Sequence, residues 1–127
     1  MDKAKREQFV GQMMGYLTGA SLTGMIYIGD RLGLFKTMAG AGPLSASDLA
    51  AKGGLQERYV REWLAAMAAA EIVEYDAATE RFTFPEEHAA VLADDNSPTA
   101  VTNEMQIDHI IWLAHEASGS LPDSLSQ

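Results

Sequence analysis

Apolar and polar residues follow a helical period over the first two dozen positions of the chain. Apolar side chains recur there at intervals of three and four residues, which predicts an amphipathic helix from about Asp2 to Thr23. A second, shorter helix is predicted from about Met25 to Leu32, where Gly33 suits a left-handed carboxyl-terminal cap and Leu34 and Phe35 are expected to turn back into the core. The apolar stripe of the first helix consists of Phe9, Met13, Leu17 and Ala20.

The clearest local signal is the segment PLSASDL at residues 43–49. Ser45 and Asp48 have the spacing of a capping box, so a helix is predicted to begin at Ala46. Two glycines end this helix, and a new helical pattern opens around Gln56. Two helices joined by a tight glycine turn form a helix-turn-helix. The residues predicted to face inward from the second helix are Val60, Trp63, Leu64 and Met67.

Strand-like patterns follow that second helix. Residues 72–84 favour β-branched and aromatic side chains on both sides of the turn-like segment AATE, which predicts a β-hairpin. A short helix over PEEHAAVL and a last helix from Ser97 to about Ala117 complete the pattern. The predicted fold is therefore mainly α: a winged helix-turn-helix with a two-stranded hairpin as its wing, flanked by amino-terminal and carboxyl-terminal packing helices. The predicted divisions are a packing or dimerisation helix at 1–24, a winged-helix domain at 25–95, a helix toward a missing domain or partner at 96–118, and a tail or truncated linker at 119–127.

Residues 9–29 contain no charged side chain. About 20 apolar residues suffice to cross a bilayer, but Gln12, Thr18 and Ser21 interrupt this run and glycines dilute it. We therefore expect the segment to pack against protein rather than to span a membrane. Glycines recur at every fourth position from 11 to 19, a spacing that allows helices to approach closely. The prediction is a homodimer, with candidate packing residues Phe9, Gly11, Met13, Gly15, Leu17 and Gly19.

Composition narrows the possible partners. The chain has 127 residues, a net charge of -9 and no cysteine, which excludes disulfides and thiolate metal ligands and suits a cytoplasmic location. Residues 1–70 hold eight Lys and Arg against six Asp and Glu, whereas residues 71–127 hold one Arg against twelve acids. Nucleic-acid binding depends on Lys and Arg that neutralise phosphates, so the acidic half disfavours nucleic acid and anionic membranes.

The sequence contains no motif that supports catalysis, such as a glycine-rich phosphate loop or a nucleophile elbow. The three histidines lack the spacing of a two-histidine metal site.

Two other functions stay open here. A winged helix can read DNA, although Arg58 and Arg61 are the only basic residues of the candidate recognition helix, and each has a glutamate one turn away. The other is an apolar ligand pocket near the amino terminus, lined by the adaptable side chains of Met13, Met14, Tyr16, Met25 and Tyr27.

The ordered segments LGLF, DLAAKGG, RYVREWLAAM, IVEYD and PEEHAAVL carry a resemblance to a known family. Residues 27–92 resemble the N-terminal winged-helix region of S-adenosylmethionine-dependent methyltransferases, including O-methyltransferase-like enzymes. The resemblance implies a region that mediates dimerisation and covers the substrate site of a following Rossmann-like domain, which holds the methyl donor. The candidate residues for this substrate lid are Met14, Tyr16, Met25 and Tyr27. It implies no cofactor-binding and no catalytic residue in this chain, which is then inactive alone. S-adenosylmethionine is the cofactor expected for the parent enzyme, and the chain is either a fragment of it or a stand-alone relative.

Overall fold

A computed structural model describes residues 1–97 together with residues 112, 115 and 116. Within this part of the chain the fold is mainly helical and carries one antiparallel hairpin, which confirms the predicted fold class. The predicted last helix lies outside the described residues, apart from three exposed helical positions within it. The elements are α1 (Lys3–Arg31), α2 (Leu34–Met38), α3 (Ala46–Gly53), α4 (Glu57–Ala69), β1 (Glu74–Asp76), β2 (Arg81–Thr83) and α5 (Glu86–Leu92).

The first helix is longer than predicted. A break between Thr23 and Met25 was expected, but α1 continues through this point without interruption, so the prediction of two helices is wrong. The Thr23 hydroxyl donates to the carbonyl of Gly19 at 2.8 Å and is thereby satisfied within the helix instead of capping a new one. The helix stops at Leu32, and Gly33 follows in the left-handed region at φ 70°, as predicted.

The short helix α2 was not predicted by the sequence pattern, which was interpreted there only as a turn of Leu34 and Phe35 back into the core. Both side chains are buried, so that part of the prediction is confirmed. Five residues are too few to show a helical period. Helix α2 therefore depends on the burial of its own apolar side chains rather than on a local signal.

The capping box at the start of α3 is present as predicted. The amide of Asp48 donates to the Ser45 hydroxyl oxygen at 3.0 Å, and the amide of Ser45 donates to the Asp48 carboxylate at 3.1 Å. These two bonds satisfy amides that the first turn of a helix leaves without partners. They fix the point at which α3 begins and thereby the geometry of the helix-turn-helix.

The hairpin pairs Tyr75 of β1 with Phe82 of β2, and residues 77–80 form its turn. A third segment joins it: Leu44 and Phe82 exchange backbone hydrogen bonds of 2.9 and 2.8 Å. The sequence pattern did not predict this bridge, because a single residue pair has no periodicity. It ties the chain entering α3 to the wing and completes a winged-helix arrangement.

The core lies between the helices and the wing and is centred on Phe35, whose side chain is fully buried. Its ring contacts Trp63 edge-on at 5.1 Å and Phe84 at 5.4 Å between centroids. All four side chains predicted to face inward from α4 are buried, which confirms the helical period found there. The buried residues are Leu34, Phe35, Met38, Leu44, Ala46, Leu49, Ala50, Val60, Trp63, Leu64, Met67, Val73, Phe82, Phe84 and Leu92.

Candidate functional site

The carboxyl-terminal third of α1 attaches the helix to the core. Leu22, Met25 and Ile26 pack against it, and the indole nitrogen of Trp63 donates to the carbonyl of Met25 at 2.9 Å. Gly29 is buried, and a Cβ there would overlap the Trp63 ring and come within 2.9 Å of Phe35. Glycine at this position therefore allows α1 and α4 to approach closely.

The rest of α1 forms an arm, which we define as residues 3–21. Every residue of the arm is exposed except the half-buried Met13. A Cβ built on any of its three glycines meets nothing within 4 Å among the described residues. The arm thus presents apolar area that the described chain leaves uncovered, and its large side chains that are more than half exposed are Phe9, Val10, Met14, Tyr16 and Leu17.

The six candidate packing residues all lie on the arm, but not on one face of it. Successive residues of an α-helix turn by about 100°, so Phe9, Met13 and Leu17 follow one another along a single stripe. Gly11 and Gly15 each lie about 160° from Met13, on the opposite side of the helix. One partner helix therefore contacts the apolar stripe or the glycine stripe, but not both.

The four candidate lid residues also lie on two opposite sides of α1. Met14 and Met25 lie within about 20° of each other around the axis and line a groove of about 560 Å³ between α1 and the end of α4. Alanines 66, 69 and 70 form the α4 side of this groove, which we call the α1–α4 groove. Tyr16 and Tyr27 lie on the other side of α1, so the four residues do not line one pocket.

The two tyrosines make contacts along the helix surface. The amide of Gln12 donates to the Tyr16 hydroxyl at 2.7 Å, one turn away. The guanidinium of Arg31 donates to the Tyr27 hydroxyl at 3.0 Å and lies 5.4 Å from the centre of its ring. Both hydroxyls are thus satisfied within α1, which favours a role in helix stability over one in binding a substrate.

A second apolar groove, of about 420 Å³, lies where the end of α1 meets the start of α4. Ile28, Leu32 and Tyr59 are each at least 46% exposed on its walls. This patch was not predicted from the sequence. Tyr59 gave a usable signal, because it is a large aromatic residue outside the inward-facing stripe of α4.

The face of α4 that would read DNA carries ion pairs. Arg58 lies 3.6 Å from Glu62, and Arg61 forms a salt bridge with Glu57, as the sequence predicted. The wing beside it exposes the acidic side chains of Glu74, Asp76 and Glu80. Basic groups on this surface are therefore matched by acidic neighbours, which disfavours phosphate contacts.

Within the described residues, no group of His, Asp or Glu side chains is arranged to hold a metal ion. His88 instead has a structural contact, with its Nδ1 2.7 Å from the carbonyl oxygen of Ile72. Among those same residues, no helix combines the length and the apolar character needed to cross a membrane.

Comparisons with known proteins identify the fold. A family model described as the Rv2258c-like winged HTH domain matches residues 20–94. Comparison with curated proteins gave no match. Among solved structures, the mitomycin 7-O-methyltransferase MmcR is 24% identical over 93% of this chain and 34% of its own, with a TM-score of 0.75. Human N-acetylserotonin methyltransferase in complex with SAM is 18% identical over 93% of this chain and 34% of its own, with a TM-score of 0.67.

A third neighbour is described as a pericyclic reaction enzyme. It is 22% identical over 97% of this chain and 31% of its own, also with a TM-score of 0.67. This chain thus spans about a third of the length of the solved structures it matches. Identities below 25% show a shared fold, and the domain shared with the methyltransferases is their N-terminal one.

Proposed function

Because the chain belongs to the family of Rv2258c-like winged HTH domains, we propose that it is the dimerisation and substrate-covering module of a S-adenosylmethionine-dependent methyltransferase. Its winged-helix part resembles the N-terminal domain of such enzymes. The methyl donor and the catalytic groups then belong to a separate Rossmann-like part. The lack of cysteine fits a reducing cytoplasm as the place of action.

The exposed arm of α1 is the observation that carries this proposal. Side chains such as Phe9 and Leu17 are 58% and 64% exposed on a continuous helix. Each interior glycine costs a helix about 1 kcal/mol relative to alanine, and isolated helices are marginal in water. A second protein surface that covers the arm would supply the missing stabilisation, and a second copy of the chain provides that surface.

The fold alone does not determine the chemistry of the parent enzyme. Two neighbours are methyltransferases and a third is described as a pericyclic reaction enzyme, so this domain accompanies more than one reaction. S-adenosylmethionine is proposed for the parent because one neighbour was solved in complex with SAM. This chain has no acidic and glycine-rich loop after a strand to hold such a cofactor.

Light scattering over a range of protein concentrations tests the dimer. We expect the wild-type chain to have twice the monomer mass and the double variant Phe9→Ser, Leu17→Ser to be monomeric. The matched control is Ala4→Ser, Gln8→Ser, which places two serines at exposed positions of the same arm on the side opposite Met13. Serine affects helix propensity in both variants, so loss of the dimer only in the first assigns it to the apolar stripe.

Titration calorimetry tests the assignment of the donor site. We expect no heat of binding when S-adenosylmethionine is added to this chain. Binding at micromolar concentration would contradict the proposal, because it would place the donor within the winged-helix module.

Salt-dependent DNA binding at about 50 mM salt would instead favour a transcription regulator.

A further inference from the structure

A small pocket beside α5 brings together residues from three parts of the fold. Its volume is about 340 Å³, and it is separate from the α1–α4 groove and from the groove next to Tyr59. Most of its wall is aliphatic, and its two polar side chains are those of Glu71 and His88. The lining residues are Ile26 of α1, Glu71 and Ile72 after α4, and His88, Val91 and Leu92 of α5.

The hydrogen bond of His88 determines what its ring can offer to a ligand. Its Nδ1 lies 2.7 Å from the carbonyl oxygen of Ile72, and because a carbonyl only accepts, Nδ1 carries the hydrogen. The Nε2 atom of the neutral imidazole is then an acceptor. Among the residues that the structure describes, Nε2 has no hydrogen-bond partner. The half-buried ring is thus held in place by one nitrogen and leaves the other available as an acceptor.

Glu71 gives the pocket a negative charge. Its side chain is exposed, and its carboxylate makes no hydrogen bond or ion pair within the described part of the chain. An ionised carboxylate accepts hydrogen bonds and repels anions. Both polar side chains of the pocket therefore favour a ligand that donates hydrogen bonds, and Glu71 disfavours one with a negative charge.

We infer that this pocket binds a small uncharged molecule with an apolar body and a hydroxyl group. The body lies against the aliphatic wall, and the hydroxyl donates to Nε2 of His88. Glu71 excludes anions of similar shape. The inference is independent of the proposed function, because every residue of the pocket belongs to this chain and none of them lies on the arm.

Ligand-observed NMR on the full chain tests the pocket with two matched probes, 2-naphthol and 2-methoxynaphthalene. They share an apolar body, but the ether has no hydrogen to donate. We expect 2-naphthol to bind about tenfold more tightly, because only it forms the hydrogen bond to His88. Equal affinities, or no binding of 2-naphthol at millimolar concentration, would overturn the inference.

The variant His88→Asn separates binding from structure. The asparagine amide takes the place of Nδ1 and can still donate to the Ile72 carbonyl, but no atom replaces Nε2. We expect an unchanged Tm and an affinity for 2-naphthol that falls to that of the ether. Wild-type affinity in this variant would show that Nε2 is not the acceptor and would overturn the inference.

The variant Glu71→Gln tests the charge of the pocket without a change at His88. Its probe is 6-hydroxy-2-naphthoate, which adds a carboxylate to 2-naphthol. We expect the wild-type chain to bind this anion more weakly than 2-naphthol, and Glu71→Gln to narrow the difference severalfold. The matched control Glu80→Gln removes the same charge from the turn of the wing, outside the pocket, and should leave the difference unchanged. Equal effects of the two variants would assign the selectivity to net charge and overturn the site.

Discussion

At the start of α3, two side chains and two amides determine where the helix begins. Asp48 accepts a hydrogen bond from the amide of Ser45, and this bond, together with a hydrogen bond from the Ser45 side chain to the carboxyl, lowers the pKa of the Asp48 carboxyl. Desolvation opposes the shift, and the positive charges of Arg81 and Lys52 reinforce it. The charged form is therefore favoured in the folded state.

This shift predicts a pH-dependent loss of stability. A group whose pKa is lower when folded contributes stability above its unfolded pKa of about 4, and this contribution is lost as pH falls through the folded value. We expect Asp48→Asn to lower the free energy of unfolding near neutral pH, and the difference from wild type to shrink below about pH 4. Urea unfolding at several pH values measures it. An equal difference at all pH values would mean that the carboxylate charge has no part in the cap.

The ends of α3 and α4 show why sequence predicts some caps and not others. Both helices end in a Schellman motif. The amide of Leu55 donates to the carbonyl of Ala50, and the amide of Ile72 donates to the carbonyl of Met67, each at 2.9 Å. The left-handed position is Gly54 in one and Glu71 in the other, at φ 64° and 60°. Glycine marks such a position in a sequence because it adopts positive φ without strain, whereas a glutamate there gives no signal.

At the scale of the elements, the continuity of α1 depends on its contacts with other parts of the fold. Local cues around Gly24 suggested a break, but packing of Met25 and the close fit of Gly29 against Trp63 keep the helix continuous. The sequence also identified the arm as a packing element without choosing its face. Apolar residues and glycines both recur there every four positions, and the turn of about 100° per residue places these two stripes on opposite sides of the helix, so either could face a partner.

Two alanine substitutions in α1 separate close packing from helix propensity. Gly29→Ala places a methyl group against the Trp63 and Phe35 rings, and we expect it to lower the free energy of unfolding by about 1–3 kcal/mol. Gly24→Ala meets nothing within 4 Å and should raise this free energy by up to about 1 kcal/mol. Thermal or urea unfolding measures both. Equal effects of the two changes would show that Gly29 is not needed for the α1–α4 contact.

At the scale of the whole molecule, the core and the proposed interface are separate. The buried core begins at Leu34 and the residues of α1 that pack against it begin at Leu22, whereas the arm ends at residue 21. The sequence predicted the core well, because helical periods, one capping box and one hairpin each leave a local pattern. The cover of the arm leaves no such local pattern, and the dimer proposed for it stays a prediction.

This separation predicts the effect of removing residues 1–19. The shortened chain retains every buried core residue and the Trp63 bond to Met25, so we expect it to unfold cooperatively. The full-length chain should show a Tm that rises with protein concentration, because a dimer dissociates as it unfolds. The Tm of the shortened chain should not depend on concentration, since it lacks the apolar stripe. Calorimetry at several concentrations measures both, and a shortened chain without a cooperative transition would mean that the arm stabilises the core of its own copy.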